Sequence, residues 1–262
     1  MTCETILGYD MGVRAAALAM TPGTGDSFTL RAQDANAGMY LISMHASMSV
    51  ASGVYIRSPR MHDNVTDLQF LIPAYTGFQP CFMGLRQPLV PQDNLSVVRL
   101  AGGAAAVPDL LAFTIYYENL VGAAGNLFTW DSIKDSIKNL TTVTVTAGAP
   151  ATGQWTSSGA INVTQDLLKA NTNYAILAAH SIPGACIVAV SGPCTGNVRL
   201  GIPTRNLGYD LGSRYLVDLS RISGLATIPV MKSADKGATL VYLADPTLSV
   251  TSATLLLAEL TG

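Results

Sequence analysis

Charged side chains are scarce in this chain. Asp, Glu, Lys and Arg together make up only 12% of its 262 residues, whereas apolar side chains make up 49%. Soluble domains usually carry about twice this charged fraction, because a monomer needs charge to cover its surface. The composition therefore leaves three classes open: a membrane protein, a fibrous protein, or a subunit that buries much of its surface against other subunits.

Long uninterrupted apolar runs are also lacking. A membrane-spanning helix needs about 20 predominantly apolar residues in a row, and the stretch from Leu100 to Phe113 is interrupted by Gly, Pro and Asp. The first ten residues have no basic start and include Glu4 and Asp10. We therefore expect no signal peptide and no membrane partner, which leaves the subunit of a large assembly.

Cationic side chains are few and dispersed. The chain has 15 Lys and Arg against 17 Asp and Glu, which gives a net charge of −2. A protein that neutralises a nucleic-acid backbone usually concentrates cations on one face or arm. We expect no direct nucleic-acid partner.

Sequence motifs for catalysis and metal binding are missing. The three histidines, His45, His62 and His180, form no His-x-His pair, although metal ligands must converge on one ion. No G-x-S-x-G nucleophile motif and no Gly-Lys-Ser/Thr phosphate loop occurs. We therefore expect a protein that is not an enzyme and holds no metal and no cofactor.

The four cysteines do not form a zinc-binding pattern. Cys3, Cys81, Cys186 and Cys194 include no C-x-x-C spacing. Cys186 and Cys194 flank the dipeptide Gly192-Pro193 and would face each other across a turn, so a disulfide between them is one interpretation. The other is that both are thiols of a protein assembled in a reducing cytoplasm.

A long internal repeat is the most informative feature that is present. Residues 28–59 align with 161–193 at offsets of 134 or 135. Three identities support the alignment: Tyr40 with Tyr174, His45 with His180, and Pro59 with Pro193. A unit of roughly 130 residues is the size of one domain. We therefore predict two similar domains, residues 1–120 and 140–262, joined by a linker at 121–139.

Short β-strands dominate both halves. They are rich in Val, Ile, Thr, Tyr and Phe and are bounded by Gly, Pro, Asn or Asp. About eight strands per 130 residues fit a jelly roll, whereas an immunoglobulin-like sandwich has about seven in roughly 100 residues. The predicted fold class is all-β, with two tandem jelly-roll-like sandwiches and a short helical linker. The predicted strands are 27–32, 38–47, 53–58, 67–72, 94–101, 110–118, 141–147, 159–164, 173–180, 186–191, 197–202, 215–220, 238–244 and 253–260.

One helix is predicted at the junction of the halves. Trp130, Ile133, Ile137 and Leu140 recur at helical spacing, and Thr129 or Asp131 would cap the start of a helix over 129–140.

A second, shorter repeat does not fit the first. Residues 7–14 and 207–214 share six of eight residues, but they do not align at the offset of the long repeat. Chance and a shared turn that contacts neighbouring subunits both remain open.

The segment from Tyr75 to Phe82 holds three aromatic residues among Gly and Pro. Tyr75, Phe78 and Phe82 are the candidate interface residues, because aromatic side chains anchor interfaces and sugar sites. The alternative is a loop that folds over its own sandwich.

Taken together, tandem jelly-roll-like halves, low charge and the lack of catalytic motifs resemble the coat proteins and the capsid-decorating (cement) proteins of bacteriophages and other double-stranded DNA viruses. The resemblance implies a non-enzymatic protein that stabilises an icosahedral shell. It would be assembled in the host cytoplasm and located in the virion, with other capsid proteins or itself as partner, as a dimer or trimer. The small chain favours the cement role. The alternative function is a carbohydrate-binding or adhesive module of a phage fibre, with the aromatic segment as its site.

Overall fold

The computed structural model describes residues 1–10, 17–34, 36–58, 60, 68–101, 109–146, 148–149, 151, 153–161, 168–182, 186–204 and 214–261. His62 and most of the repeat at 207–214 lie outside these residues, as do residues 11–14 of its first copy.

Most of the secondary structure in the described residues is strand, which confirms the predicted all-β class. The first half contains β1 (Thr2–Asp10), β2 (Ala17–Ala19), β3 (Thr21–Pro22), β4 (Met39–Met48), β5 (Ser52–Arg57), β6 (Leu68–Ile72), β7 (Tyr75–Pro88), β8 (Ser96–Ala101) and β9 (Asp109–Tyr117). The second half contains β10 (Leu127–Phe128), α1 (Trp130–Ile133), β11 (Ile137–Thr146), β12 (Thr156–Ala160), β13 (Asn173–Ile182), β14 (Ile187–Ser191), β15 (Leu200–Pro203), α2 (Tyr215–Ser223), β16 (Ile228–Lys232), β17 (Leu240–Ala244) and β18 (Ser252–Leu260). Short 3₁₀ turns lie at Lys134–Ser136, Pro193–Thr195 and Ser233–Asp235.

The two halves have the same strand order. The first half forms the sheets β3-β1-β9-β4-β7 and β2-β8-β5-β6, and the second forms β10-β16-β13-β18-β11 and β12-β17-β14-β15. Apart from the edge strands β3 and β10, each strand of one half takes the place of a strand of the other. In both halves the first long strand lies beside the last, as two Greek keys require. Each half is therefore an eight-stranded jelly roll.

A shared irregularity marks equivalent positions in the halves. The register of β4 against β9 shifts between Leu41 and Ser43, and that of β13 against β18 shifts between Ile176 and Ala178. The bulged residues are Ile42 and Leu177, and His45 and His180 each lie three residues beyond them. The bulge therefore recurs at the offset of 135 that the sequence repeat indicated.

The four sheets form a stack. One apolar cluster fills the first half between its two sheets, and the largest cluster fills the second half. A third cluster joins the five-stranded sheet of the first half to the four-stranded sheet of the second, and consists of Leu7, Phe78, Leu110, Ala112, Ile187 and Ala244. Because the five-stranded sheet of the first half is covered on both sides, every residue of β9 is buried.

The predicted linker helix is shorter than its apolar spacing indicated. It ends as an α-helix at Ile133, continues as a 3₁₀ turn and becomes β11 at Ile137. The predicted cap is correct, since the Ser132 N–H donates to Thr129 Oγ1 at 3.3 Å. Pairing of β11 with β18 satisfies the backbone from Ile137 onward, and tertiary pairing of this kind overrides weak helical propensity.

Two other predicted strands are wrong. Residues 27–32 form only an isolated bridge between Thr29 and Asn94. Residues 215–220 belong to helix α2, which bridges the halves: the Tyr215 hydroxyl lies 2.6 Å from Ser43 Oγ, and the Tyr215 ring meets the buried His45 ring edge to face at 5.2 Å. The helix covers part of the outer face of the first half's five-stranded sheet.

Helix α2 packs so closely on β7 that one position there requires glycine. Gly84 has φ +79°, and a Cβ at this position would lie 2.2 Å from Ile222 Cγ2. We expect Gly84→Ala to lower the free energy of unfolding by about 2–4 kcal/mol, from left-handed strain and overpacking together. The control is Gly122→Ala, which has φ +77° but no atom within 4 Å and should show the strain alone. If Gly84→Ala and Gly122→Ala lower the free energy of unfolding in urea by the same amount, the contact with the helix adds nothing to the cost of Gly84→Ala.

Candidate interaction surfaces

The junction between the halves is built around a buried carboxylate. Asp26 Oδ2 accepts hydrogen bonds from the Leu7 N–H and from Trp155 Nε1, both at 2.8 Å, and Asp26 Oδ1 pairs with Arg199. The Arg199 guanidinium lies 5.7 Å from the Trp155 ring centre and 5.5 Å from that of Tyr242. Burial raises the pKa of Asp26 despite these hydrogen bonds and the nearby Arg199. The network fixes the halves relative to each other.

Backbone hydrogen bonds also cross the junction. The Thr5 N–H of β1 donates to the Arg199 carbonyl at 2.7 Å, and the Gly201 N–H of β15 donates to Thr5 Oγ1 at 2.8 Å. A Cβ at Gly201 would lie 2.8 Å from the Thr5 side chain. The approach of the two strands therefore depends on the small residue in β15.

A polar pocket of about 120 Å³ opens at this junction. Both arginines of this pocket form ion pairs with carboxylates of the same chain. Arg31 forms a two-pronged ion pair with Glu4 at 2.7 and 2.6 Å, and Arg199 pairs with Asp26. The pocket is small and its charges are balanced, so it does not offer an anion a strong site.

The predicted aromatic loop is part of a strand. Tyr75, Phe78 and Phe82 all lie in β7, the longest strand, at the edge of its sheet. Phe78 is fully buried in the cluster that joins the halves. Phe82 is half-buried and meets the Phe70 ring at 6.3 Å, and Tyr75 is 36% exposed. Phe78 therefore contributes to the chain's own core and cannot serve as a subunit contact from this position.

An open apolar groove lies on the outer face of the first half's four-stranded sheet. Leu71 is 80% exposed and Leu100 is 43% exposed, and both flank Gly53 in one row across β6, β5 and β8. Because Gly53 has no side chain, the row is concave at its centre. The groove has a volume of about 720 Å³ and is lined by Ala51, Ser52, Gly53, Leu71, Ile72, Pro73 and Leu100. No sequence pattern indicates this groove, because its members come from three separate strands.

A second broad face lies at the other end of the stack. Val143 and Val145 of β11 belong to the core, so the alternate residues Thr142, Thr144 and Thr146 point outward. Beside them, β18 presents residues that are only half-buried: Ser252, Thr254 and Leu256. None of these outward side chains carries a formal charge.

A buried cluster of three charges lies in the first half. The fully buried Arg99 of β8 pairs with Asp10 Oδ2 at 2.8 Å and with the fully buried Asp109. Asp109 Oδ1 also accepts a hydrogen bond from the Ser49 N–H at 2.7 Å. Burial raises the pKa of Asp109, while Ser49 and Arg99 oppose that rise. The cluster ties three strand ends together.

The four cysteines are thiols, so Cys186 and Cys194 form no disulfide in this structure. Burial raises the pKa of Cys81 to about 12 and that of Cys194 to about 11. Within the described ranges, no three His, Cys, Asp or Glu side chains are grouped to hold a metal ion. No described helix is long and apolar enough to span a membrane.

The chain matches no protein-family model and no curated protein. Among solved structures it is similar to the PBSX exported protein XepA, with 11% identity, 95% of this chain and 88% of that chain covered, and a TM-score of 0.24. It is also similar to AerE from Microcystis aeruginosa (8% identity, 98% of each chain, TM-score 0.19) and to vicilin from hazelnut, Corylus avellana (7% identity, 93% of this chain and 74% of that chain, TM-score 0.19). These TM-scores are too low to indicate what this chain does.

Proposed function

We propose that this chain is a non-enzymatic structural protein of a virion. Its two jelly-roll halves would stabilise an icosahedral shell, as a decorating protein or as the coat itself. The observation that carries this proposal is the four-sheet stack, which ends in a wide apolar groove on one side and an uncharged threonine-rich face on the other. Exposed apolar surface of this kind is typical of protein contacts.

The rigid junction between the halves supports the same role. A subunit that holds neighbouring tiles must keep its contact faces at a fixed spacing. The ion pair of Asp26 with Arg199, the bond between Thr5 and Gly201, and helix α2 all hold the halves in one arrangement. Partners would be other capsid proteins or further copies of the chain, and neither role requires a cofactor.

Light scattering coupled to size-exclusion chromatography tests this function, with electron micrographs of each peak. Shells or extended sheets are expected of a coat protein, and a discrete dimer or trimer is expected of a decorating protein. A monomer whose mass does not change with concentration would contradict self-assembly and require a search for a separate shell partner.

A further inference from the structure

The two halves meet through a row of side chains that can be located in each half. In the second half, Ile187 of β14 pairs with Pro203 of β15 and Ala244 of β17. The row faces away from the core, because the next residue, Val188, is a core residue. Ile187 and Ala244 are buried against β1, β7 and β9 of the first half. This row is therefore the part of the four-stranded sheet that docks on a five-stranded sheet.

No described residue covers the equivalent row in the first half in this way. Gly53 of β5 pairs with Leu71 of β6 and Leu100 of β8, in the same order as the three residues of the second half. Gly53 precedes Ile187 by 134 residues, the offset of the sequence repeat. Leu71 and Leu100 are exposed, although their counterparts Pro203 and Ala244 are buried.

The covering surface also has an equivalent over which no other described segment packs. In the first half, Leu7, Ala112 and His45 form one row across β1, β9 and β4. In the second half, Thr144, Thr254 and His180 form the matching row across β11, β18 and β13. The first row is buried under the second half, whereas Thr144 is exposed and Thr254 and His180 are half-buried.

We propose that two copies of this chain associate head to tail through these two faces. The row of Leu71, Gly53 and Leu100 of one copy would pack on the outer face of β11 and β18 of the next, so that the contact between copies repeats the contact between the halves. This inference rests on the proposed function. That function allows further copies of the chain as partners, and the inference identifies the two faces through which they meet.

The chemistry of the second face suits such a contact. Thr144 Oγ1 and Thr254 Oγ1 lie 2.9 Å apart and hydrogen-bond to each other, which satisfies one of their two O–H donors within the face. Ile182, which is 61% exposed, and Leu256 add apolar area beside them. Because these outward side chains carry no formal charge, the face repels no partner by charge.

The geometry also limits the kind of assembly. The contact joins two different faces and is therefore heterologous, which produces a ring if the rotation closes and a filament if it does not. The two faces lie at opposite ends of four stacked sheets, about 30 Å apart at roughly 10 Å per layer. One molecule cannot bring its own two faces together.

Paired cysteines test which faces meet. Leu100 corresponds to the interface residue Ala244, and Thr254 corresponds to Ala112. We expect the variant L100C/T254C to form an oxidation-dependent ladder of dimers and higher multimers on non-reducing gels. The variant L100C/V121C is the control, because Val121 is 64% exposed and lies outside both faces. It should give no ladder beyond that of the unaltered chain.

A charge placed in the groove tests the energy of the contact. Leu71→Asp changes an exposed side chain and should leave the melting temperature unchanged. We expect it to lower the association constant from sedimentation at least about tenfold, as for an interface residue worth about 1.4 kcal/mol. Val121→Asp is the matched control and should assemble like the unaltered chain.

The outcomes separate this inference from the proposed function. If the unaltered chain assembles but Leu71→Asp assembles equally well and L100C/T254C gives no ladder, other faces meet: the head-to-tail contact is overturned and the structural role stands. Monomers at every concentration would overturn the self-contact as well. A ladder together with the loss caused by Leu71→Asp supports it.

Discussion

Replacing Arg99 by Met should lower the free energy of unfolding by about 3–5 kcal/mol, because it leaves two carboxylates buried without their cation. Asp109 is fully buried and Asp10 nearly so, and Arg99 pairs with both. Methionine keeps most of the apolar volume of the arginine side chain. Urea unfolding gives the size of the loss.

Acidic pH should reduce this loss. Burial already raises the pKa of Asp109, and removal of Arg99 raises it further. A carboxyl whose pKa is higher in the folded than in the unfolded protein stabilises the fold at low pH and loses that contribution as pH rises through the folded pKa. The difference between Arg99→Met and the unaltered chain should therefore shrink as pH falls from neutral towards the ordinary pKa of Asp.

Two controls identify the cause. Arg214→Met removes an exposed arginine that pairs with Asp218 at 3.0 Å and should cost no more than about 0.5 kcal/mol. Neutralising all three charges, in D10N/R99M/D109N, should recover part of the loss, because the triple variant buries no unpaired charge. A loss below about 1 kcal/mol for Arg99→Met would show that the carboxylates are solvated, contrary to their burial.

The sequence was sufficient for the fold class and for the strands that resemble each other in the two halves. β13 and β14 are apolar runs of Ala, Ile, Leu and Val between turn residues, and they lie where 173–180 and 186–191 predicted them. Such strands are predictable because local composition and burial agree.

β1 and β7 were missed because long-range contacts override their local composition. β1 includes Glu4, which is buried only because Arg31, 27 residues away, neutralises it. β7 contains Pro80 and Gly84, which predict a loop. It is nevertheless a strand at a sheet edge, and its pairing with β4 shifts register three times. Edge position and bulges are the conditions under which strands accept Pro and Gly.

The sequence contains two signals for helix α2 that the strand prediction did not use. Gly224 ends the helix with φ +66°, and its N–H donates to the Ser220 carbonyl at 2.8 Å, the usual role of glycine after a helix. Arg214 and Asp218 have the i, i+4 spacing of a helical ion pair. The outward faces could not be predicted in this way, because they depend on which strands are neighbours and on their register.

Replacing Phe78 by Ala should be nearly as destabilising as the loss of Arg99, because the ring fills the cluster that joins the halves. Truncation of a fully buried Phe costs about 3–5 kcal/mol. The sequence alone left open a subunit contact at this residue, which would predict a stable but poorly assembling variant. The buried position instead predicts a lower urea midpoint.

Tyr75→Ala is the matched control, since Tyr75 lies in the same strand but is partly exposed. It should cost about 1 kcal/mol or less. Because Phe78 lies between the halves, its loss should also weaken their coupling, and a lower slope of unfolding free energy against urea would report that they no longer unfold together. A Phe78→Ala chain that unfolds at the original midpoint but fails to assemble would instead place this ring at a subunit interface and contradict the packing of β7 described here.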